Sequence, residues 1–480
     1  MKTSESSVTI ERPWEPIPKD AWDEAAARHL LLRAGFSATP PAIKRALSLP
    51  VEKCVAELFE PAPPLPPTGA IQKIHGIDPR SMKDMRSAAP EQRKEMRDER
   101  RDLERAGYEE LGIAWLQRAA EPRHSAAEKF VLFLQDIFVI GFSKVRNPAL
   151  LHAHQQLLRE LGTRSYPELC KAVSRSPAMI IYLDLQQSKA GAPNENFARE
   201  LFELFTLGEG NYTEDDIKQA ARAFTGYRQR AGEFIFQRRA HDAGRKQVFG
   251  ETGTFDGDQV IDLVFKQPAA ATFLPRELVR FYLTDRGIDE THIESLGKTW
   301  RSENFNTGAL LRRFFTSRMF FEPSFRGGMI KSPVQFQLGL VQDLGLDVAP
   351  LPRFTLGSLR QMGQPFFNPP NVRGWVGGQH WINSSTLAAR RQLVEFLLRP
   401  LPEGRLNADE KAALEAAGKE GRSHFTVEDT SRLIDDLGGE LEARLDQALS
   451  SARNNNPKQR AALERRVLAV LLQSPRYNLC

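Results

Sequence analysis

The chain has 480 residues, of which 41% are hydrophobic and 26% are charged, as in ordinary folded globular proteins and unlike disordered chains. Its net charge of +5 is small and dispersed, so the composition does not predict nucleic-acid binding. The three cysteines, Cys54, Cys170 and Cys480, are odd in number and fit neither a zinc motif nor a disulfide framework.

The chain shows no targeting or membrane-spanning pattern. Its N-terminal stretch contains no apolar segment followed by a small-residue cleavage site. No window reaches the run of about 18 apolar residues that is typical of a membrane span. We therefore expect a cytoplasmic protein.

Helical periodicity begins near the N-terminus and continues through most of the chain. Apolar residues recur at spacings of three and four in DEAAARHLLLRAGF, and a proline-rich loop, PAPPLPPTGA, follows. Charges of both signs then predict a long solvated helix over about residues 80–118.

Residues 194–228 predict a helical hairpin, NENFARELFELFTLGEGNYTEDDIKQAARAFTGYR. The first helix is expected to end at Gly208, a residue type common just after helix ends. The second is expected to begin after Thr213, because Asp216 lies three residues later and the two approximate a capping box.

The first helix of this hairpin carries charges between its apolar positions. Glu195, Arg199 and Glu203 share one stripe, on which Arg199 can bridge two carboxylates. Glu200 lies close enough to Glu203 for both to serve one proton relay. Because a partly buried charge needs a partner or a chemical role, Glu200 and Glu203 are candidate catalytic residues, and Glu195 and Arg199 are candidate binding residues. The alternative is a polar network that stabilises the fold.

The segment GEFIFQRRAHDAGRKQVFG predicts one β-hairpin over about residues 233–249, in which two short β-prone runs flank a basic turn. His241 and Asp242 lie in this turn among four basic residues. They are candidates for an acid/base pair or an anion clamp, and the alternative is a solvated turn.

A long Pro/Gly/Trp-rich loop, GQPFFNPPNVRGWVGGQHWINSS, leads into a helix that Ser384 or Ser385 is expected to cap. Flat aromatic faces with amide and guanidinium donors are typical of saccharide or peptide sites, although tryptophans in such loops also fasten the loop to the core. The candidate binding residues of the loop are Asn371, Arg373, Trp375, His380, Trp381 and Asn383.

The patterns together predict an all-α fold: a large multi-helix globular body with one small β-hairpin and one long irregular loop. We expect one domain over residues 1–403 and a charged helical C-terminal extension over residues 404–480. Walker, GxSxG, HExxH and GxGxxG signatures in the right context are missing from the sequence.

Several segments resemble, in order, the successive motifs of the bacterial DUF1800 family, a domain of unknown function. They are AARHLLLRAGF, SPAMIIYLD, the hairpin from PNENFARELF to RAFTGY, HDAGRKQVFG, IKSPVQFQLGLVQDLG and MGQPFFNPPNVRGWVGGQHWINSSTLAAR. The resemblance runs from about residue 22 to 400 or beyond and supplies no established reaction. Where such proteins often show an FWHxHF-like segment, this chain has FLQDIF, with Gln135 and Ile137 in place of the histidines.

Two classes of function stay open. The protein is either a binding or interaction protein, whose polar cleft, basic turn and loop take a partner protein or a saccharide or peptide, or a hydrolase or lyase. In the second case Glu200 or Glu203 acts as general acid or base on a polymeric, glycan-like substrate. Either way, we expect the hairpin charges to face His241 and Asp242 or the tryptophan loop across one cleft.

Paired carboxylates with a nearby histidine also raise the question of a metal. Arg199 lies beside Glu200 and Glu203 and competes for the same oxygens, and no Glu-x-x-His occurs on this helix. We therefore expect neither a bound metal nor a cofactor.

Overall fold

The computed structural model describes residues 10–75, 88–346, 348, 352–398 and 457–480, together with positions 443, 447 and 450. Helices dominate these residues, and the strands form two separate antiparallel pairs. The predicted all-α body is thus confirmed. None of the described helices combines the length and the apolarity that crossing a bilayer requires.

The first half of the described chain is a series of helices that start at recognisable caps. Asp23 and Asn147 accept hydrogen bonds from the backbone N–H groups of Ala26 and Ala149, and several other helices begin at proline. The helices are α1 (Glu24–Ala34), α2 (Pro40–Leu47), α3 (Val51–Leu58), α4 (Gly69–His75), α5 (Pro90–Ala120), α6 (Ser125–Ile137), α7 (Phe142–Val145), α8 (Pro148–Leu161), α9 (Tyr166–Ser174) and α10 (Pro177–Tyr182).

The predicted long charged helix is α5, which ends within two residues of its expected end at residue 118. Its expected first residues, near residue 80, lie outside the described part of the chain.

The middle of the chain holds the helical hairpin and all four strands. The capping box of Thr213 and Asp216 is confirmed, since each side chain accepts from the other's backbone N–H. The elements are α11 (Asn196–Glu200), which continues as a π-helical turn (Leu201–Thr206), then α12 (Glu214–Ala223), β1 (Tyr227–Arg230), β2 (Glu233–Phe236), β3 (Lys246–Val248) and β4 (Glu251–Gly253).

The two β-prone runs of residues 233–249 do not pair with each other, contrary to the single hairpin expected there. β2 pairs with β1, and β3 pairs with β4. The first pairing is set by Ala231 and Gly232, whose φ values of +53° and +84° form a two-residue turn of the kind that closes hairpins. The β-prone runs predicted where strands lie, but the positions of the tight turns determine which strands pair.

The rest of the described chain is again helical. Asn383 caps α19 by accepting from the N–H groups of Ser385 and Thr386, so the cap expected at Ser384 or Ser385 is wrong by one or two residues. The helices are α13 (Gly257–Val264), α14 (Pro268–Leu278) continued by a π-helical turn (Val279–Leu283), α15 (Glu290–Ser302), α16 (Thr307–Thr316), α17 (Pro333–Asp343), α18 (Pro352–Gln361), α19 (Ser384–Leu398) and α20 (Pro457–Leu472).

One continuous apolar cluster joins residues from Trp14 to Tyr477. Charged groups inside it contact either an opposite charge or backbone carbonyls, such as those that accept from Lys129. The fully buried Glu128 on α6 receives two hydrogen bonds, of 2.9 and 2.7 Å, from Arg159 on α8. All three cysteines are buried and free.

The segment after α20 is fastened to the body by backbone and side chain. Ile330 and Leu479 form a β-bridge, and the Tyr477 hydroxyl donates to buried Asp343 at 2.6 Å. The expected domain boundary near residue 403 lies outside the described residues and stays a prediction.

Candidate functional site

A wide cleft of about 970 Å³ opens between the C-terminal end of α6, the first π-helical turn and helices α14 and α15. The loop after α18 closes one end with Val372, Arg373 and Val376. The cleft walls carry acidic and basic groups together: Asp136, Glu203, Glu209, Glu277, Glu290 and Glu294 with Arg276, Arg280, Lys298, Arg301 and Arg373.

Two π-helical turns stand on the walls of this cleft. The first carries Glu203 and Leu204, and the second carries Arg280. A π turn inserts one residue into a helix at a cost in stability and occurs often at functional sites. Within the first turn the Thr206 hydroxyl hydrogen-bonds the Leu201 carbonyl at 2.5 Å, which helps satisfy the widened backbone.

Glu203 lies at the centre of a hydrogen-bonded group. One of its oxygens accepts from Arg373 at 2.5 Å, and the other accepts from the Tyr212 hydroxyl at 2.8 Å. The same guanidinium nitrogen of Arg373 reaches Glu209 at 2.6 Å and lowers the pKa of that carboxyl. The hairpin and the loop of Arg373 therefore meet here, 170 residues apart in sequence.

Asp136 is the second carboxylate of the cleft and is mostly enclosed. One oxygen accepts from the backbone N–H of Trp375 at 2.8 Å. Gly374 makes this approach possible, because a Cβ at that position would lie 2.1 Å from the same oxygen. The other oxygen has no hydrogen-bond partner in the described part of the chain.

Burial raises the pKa of Asp136 to about 7, opposed by the Trp375 hydrogen bond and the positive charge of Arg280. Asp136 also lines a second, smaller chamber of about 90 Å³. This chamber is bounded by residues 375–381 of the Pro/Gly/Trp-rich loop after α18, called the tryptophan loop below. This carboxyl group therefore lies at the junction of two cavities.

The far wall of the cleft is a row of ion pairs. Arg276 on α14 holds Glu290 on α15 through two hydrogen bonds of 2.6 Å, and Arg280 holds Glu277. Arg301 donates to three backbone carbonyls at the end of α13. Glu294 and Lys298 of this wall have no ion-pair partner among the described residues.

The remaining hairpin charges are arranged differently from the expectation. Arg199 does bridge two carboxylates, but these are Glu214, at 2.8 Å twice, and Glu195, at 3.4 Å, and not Glu203. Glu200 does not line the cleft. Its pKa is raised by burial and by the neighbouring charge of Glu203.

His241 and Asp242 also lie outside the cleft lining. Asp242 receives two hydrogen bonds from Arg222, which lower the pKa of its carboxyl. The His241 ring packs on Phe236 with centroids 5.1 Å apart, and its Nδ1 lies 3.0 Å from the Thr225 carbonyl. In the structure both side chains are held within the turn by these contacts, and their predicted role as an acid/base pair or anion clamp stays a prediction.

The tryptophan loop is divided between cleft and core. Trp375 and Trp381 are buried and line the smaller chamber, so their faces are not open platforms in the cleft. Asn371 accepts from the backbone N–H of Arg373 and shapes the loop, whereas His380 is exposed. The structure thus brings Glu203 and Arg373 together in the cleft. The other predicted site residues do not line this cleft, and two of them, Trp375 and Trp381, line the smaller chamber.

Metal-binding geometry is missing from the described residues, which contain no group of three or more His, Cys, Asp or Glu side chains able to hold an ion.

Sequence reasoning missed Asp136, Tyr212 and Arg280. Asp136 is the one carboxylate of FLQDIF, a segment whose sequence was interpreted only for its missing histidines. Tyr212 lies in the hairpin turn, and the only signal for it was its distance of nine residues from Glu203. Nothing in the local pattern marked Arg280.

Fold and site together define an all-helical protein with a charged cleft built on two π-helical turns. The chain belongs to the family described as a protein of unknown function, DUF1800, whose sequence model matches residues 29–479. No curated protein and no solved structure matches the chain.

Proposed function

We propose that this protein binds a peptide or another polar ligand of mixed charge in the cleft. The observation that carries the proposal is the carboxyl group of Asp136, which accepts one hydrogen bond, from Trp375, and lines a cleft of about 970 Å³ whose walls carry charges of both signs. Burial raises the pKa of Asp136, so its ionised form costs stability and is expected to gain from a donor or a positive charge on a ligand.

The chemistry of the walls favours a peptide over a saccharide. Saccharide sites usually offer flat aromatic faces, yet Phe273 is the one aromatic residue lining the cleft in the described residues, and it is buried. A peptide carries donors, acceptors and charges of both signs, which complement Asp136, Glu294 and Lys298.

Ligand-observed NMR tests this proposal with two probe mixtures, short peptides containing both Lys and Glu, and neutral oligosaccharides. We expect saturation transfer to the peptides with the wild-type protein and at least a tenfold weaker affinity with Arg373→Gln. Arg199→Gln is the matched control, because Arg199 is also a hairpin-associated arginine in an exposed ion pair but does not line the cleft. Transfer to oligosaccharides alone, or to neither mixture, would contradict the proposal.

A hydrolase or lyase is the second candidate, and one observation favours it. Two carboxylates in one cleft have different environments: burial raises the pKa of Asp136 to about 7, whereas both oxygens of Glu203 are occupied by donors. Two carboxyl groups in such different environments are typical of a general acid beside a fixed carboxylate. In this form of the hypothesis, the acid is Asp136 and not Glu200 or Glu203.

Time-resolved mass spectrometry of the bound probe separates the two candidates. Conversion by the wild type, with binding but no conversion by Asp136→Asn, would establish the enzyme. A probe that stays intact on the wild type through many hours supports the binding protein.

A further inference from the structure

Strand β2 has an unpaired edge that lies apart from the cleft. In the register of β1 and β2, Arg228 pairs with Ile235 and Arg230 with Glu233. The Gln237 N–H donates to the Gly226 carbonyl, so these two residues form a hydrogen-bonded pair. Hydrogen-bonded and non-hydrogen-bonded pairs alternate along two antiparallel strands, so Phe236 and Phe234 belong to the non-hydrogen-bonded pairs. The backbone N–H and C=O groups of Phe234 and Phe236 therefore point away from β1, and no described residue bonds to them.

The side chains of this edge are unusually apolar for an exposed position. Ile235 and Phe236 are each 39% exposed and are two of the few large apolar residues so exposed in the described chain. Because neighbours in a strand point to opposite faces, a helix lying on one face would cover only one of them. A strand added at the edge places side chains beside both.

Exposed arginines adjoin the β1–β2 hairpin along the chain. Arg238 and Arg239 directly follow β2, Arg230 lies on β1 opposite Glu233, and Arg245 lies just before β3. All four arginines are exposed, and none of them forms an ion pair within the described residues. Arg222, by contrast, is already neutralised by Asp242.

We propose that the edge of β2 binds an extended acidic segment of a partner protein as an added antiparallel or parallel strand. Backbone hydrogen bonds to Phe234 and Phe236 supply the affinity, and the unpaired arginines select acidic side chains. A second copy of this chain fits poorly, because each copy would bring its own Arg238 and Arg239 to the contact. None of these residues lines the cleft, so the inference stands apart from the proposed function.

Fluorescence anisotropy with labelled eight-residue peptides tests the interface. The probes are four Glu-Val repeats, four Lys-Val repeats, and a Glu-Val peptide with proline at two inner valines. We expect the Glu-Val peptide to bind at least tenfold more tightly than the other two, with an affinity that falls as salt rises.

Arg238→Glu/Arg239→Glu should reverse the preference for the acidic peptide. Lys94→Glu/Arg97→Glu on the exposed face of α5 changes net charge equally and should leave it intact. Circular dichroism of each variant verifies folding. Equal binding of both charged peptides, full binding of the proline peptide, or dimerisation of the wild type through this edge would overturn the proposal.

Discussion

At the residue scale, Asp136 is a side chain whose ionised form is costly to the fold. Its carboxyl group is mostly enclosed, holds one backbone hydrogen bond from Trp375 and lines both cavities. Arg276 and Glu290 of the same cleft, by contrast, form an ion pair. If the proposed function holds, Asp136 is a residue at which stability and ligand binding are opposed.

Asp136→Asn should stabilise the protein increasingly as pH rises. A folded pKa of about 7 lies above the unfolded value, so Asp136 favours the folded state fully at low pH and loses that contribution between about pH 4 and 7. A rise of about three pKa units corresponds to about 4 kcal/mol, so the variant should gain up to about 4 kcal/mol at pH 8 and almost nothing at pH 4. Melting temperatures of both proteins from pH 4 to 8 give the measurement.

Asp242→Asn is a control variant whose change in stability with pH should have the opposite sign. Arg222 lowers the pKa of Asp242, so its contribution is present at neutral pH and is lost as pH falls through that lowered value. This variant should be destabilised at pH 7 and approach the wild type in acid. A pH-independent difference for Asp136→Asn would contradict the environment described for Asp136.

Gly374→Ala should destabilise the protein by about 3 kcal/mol, because it combines a positive φ with a steric collision. Gly374 has φ +74°, and the added Cβ would lie 2.1 Å from Asp136. Gly191→Ala isolates the backbone contribution, since Gly191 has φ +81° and no atom within 4 Å of the added carbon. It should cost about 1 kcal/mol. Urea unfolding measures both, and equal losses would show that Asp136 and Gly374 are not in close contact.

At the scale of elements, the cleft depends on how closely α14 and α15 approach. Gly297 on α15 faces the backbone of α14, where an added Cβ would lie 2.5 Å from the Ala271 carbonyl oxygen. The ion pair of Arg276 and Glu290 spans the same two helices. Both π-helical turns extend helices of this region and direct Glu203 and Arg280 toward the cleft.

Gly297→Ala should therefore cost about 2–3 kcal/mol, since the two helices must separate to admit the methyl group. Gly357→Ala on α18 is the matched helical control, because no atom lies within 4 Å of its added carbon. That variant should gain about 0.5–1 kcal/mol from helix propensity alone. Thermal unfolding measures whether each variant is more or less stable than the wild type. A gain in stability for both variants would refute the close packing of α14 on α15.

At the scale of the whole molecule, the last described segment completes the core. Tyr477 and Ser37 both donate to the buried carboxylate of Asp343, so the two ends of the described chain meet at one acid. Arg390 on α19 bonds Asn478 and the Lys331 carbonyl nearby. The body and its final segment are thus expected to unfold together.

Tyr477→Phe should lower the free energy of unfolding by about 1–3 kcal/mol, because buried Asp343 loses a donor. Tyr212→Phe, which removes a hydroxyl from the more exposed Glu203, should cost less than about 1 kcal/mol. Denaturant unfolding followed by circular dichroism compares them. A larger loss for Tyr212→Phe would place the main support of the fold at the cleft.

Local rules in the sequence were sufficient for much of the architecture. Helix periodicity, the Thr213 and Asp216 box and proline at helix starts depend only on neighbours within one or two turns. They determined the all-α body, the long charged helix and the hairpin of residues 194–228. The successive motifs also determined the family, because an ordered series of long segments is specific without any knowledge of contacts.

Only the tertiary structure decided which charges share a site. Glu203 and Arg373 are separated by 170 residues, and Asp136 and Trp375 by 239, so no local period relates them. Arg199 had two carboxylates at helical spacing, but packing placed Glu214 within reach in preference to Glu203. Ion-pair choice depends on which surfaces meet and how much water they exclude, and those quantities exist only in the folded chain.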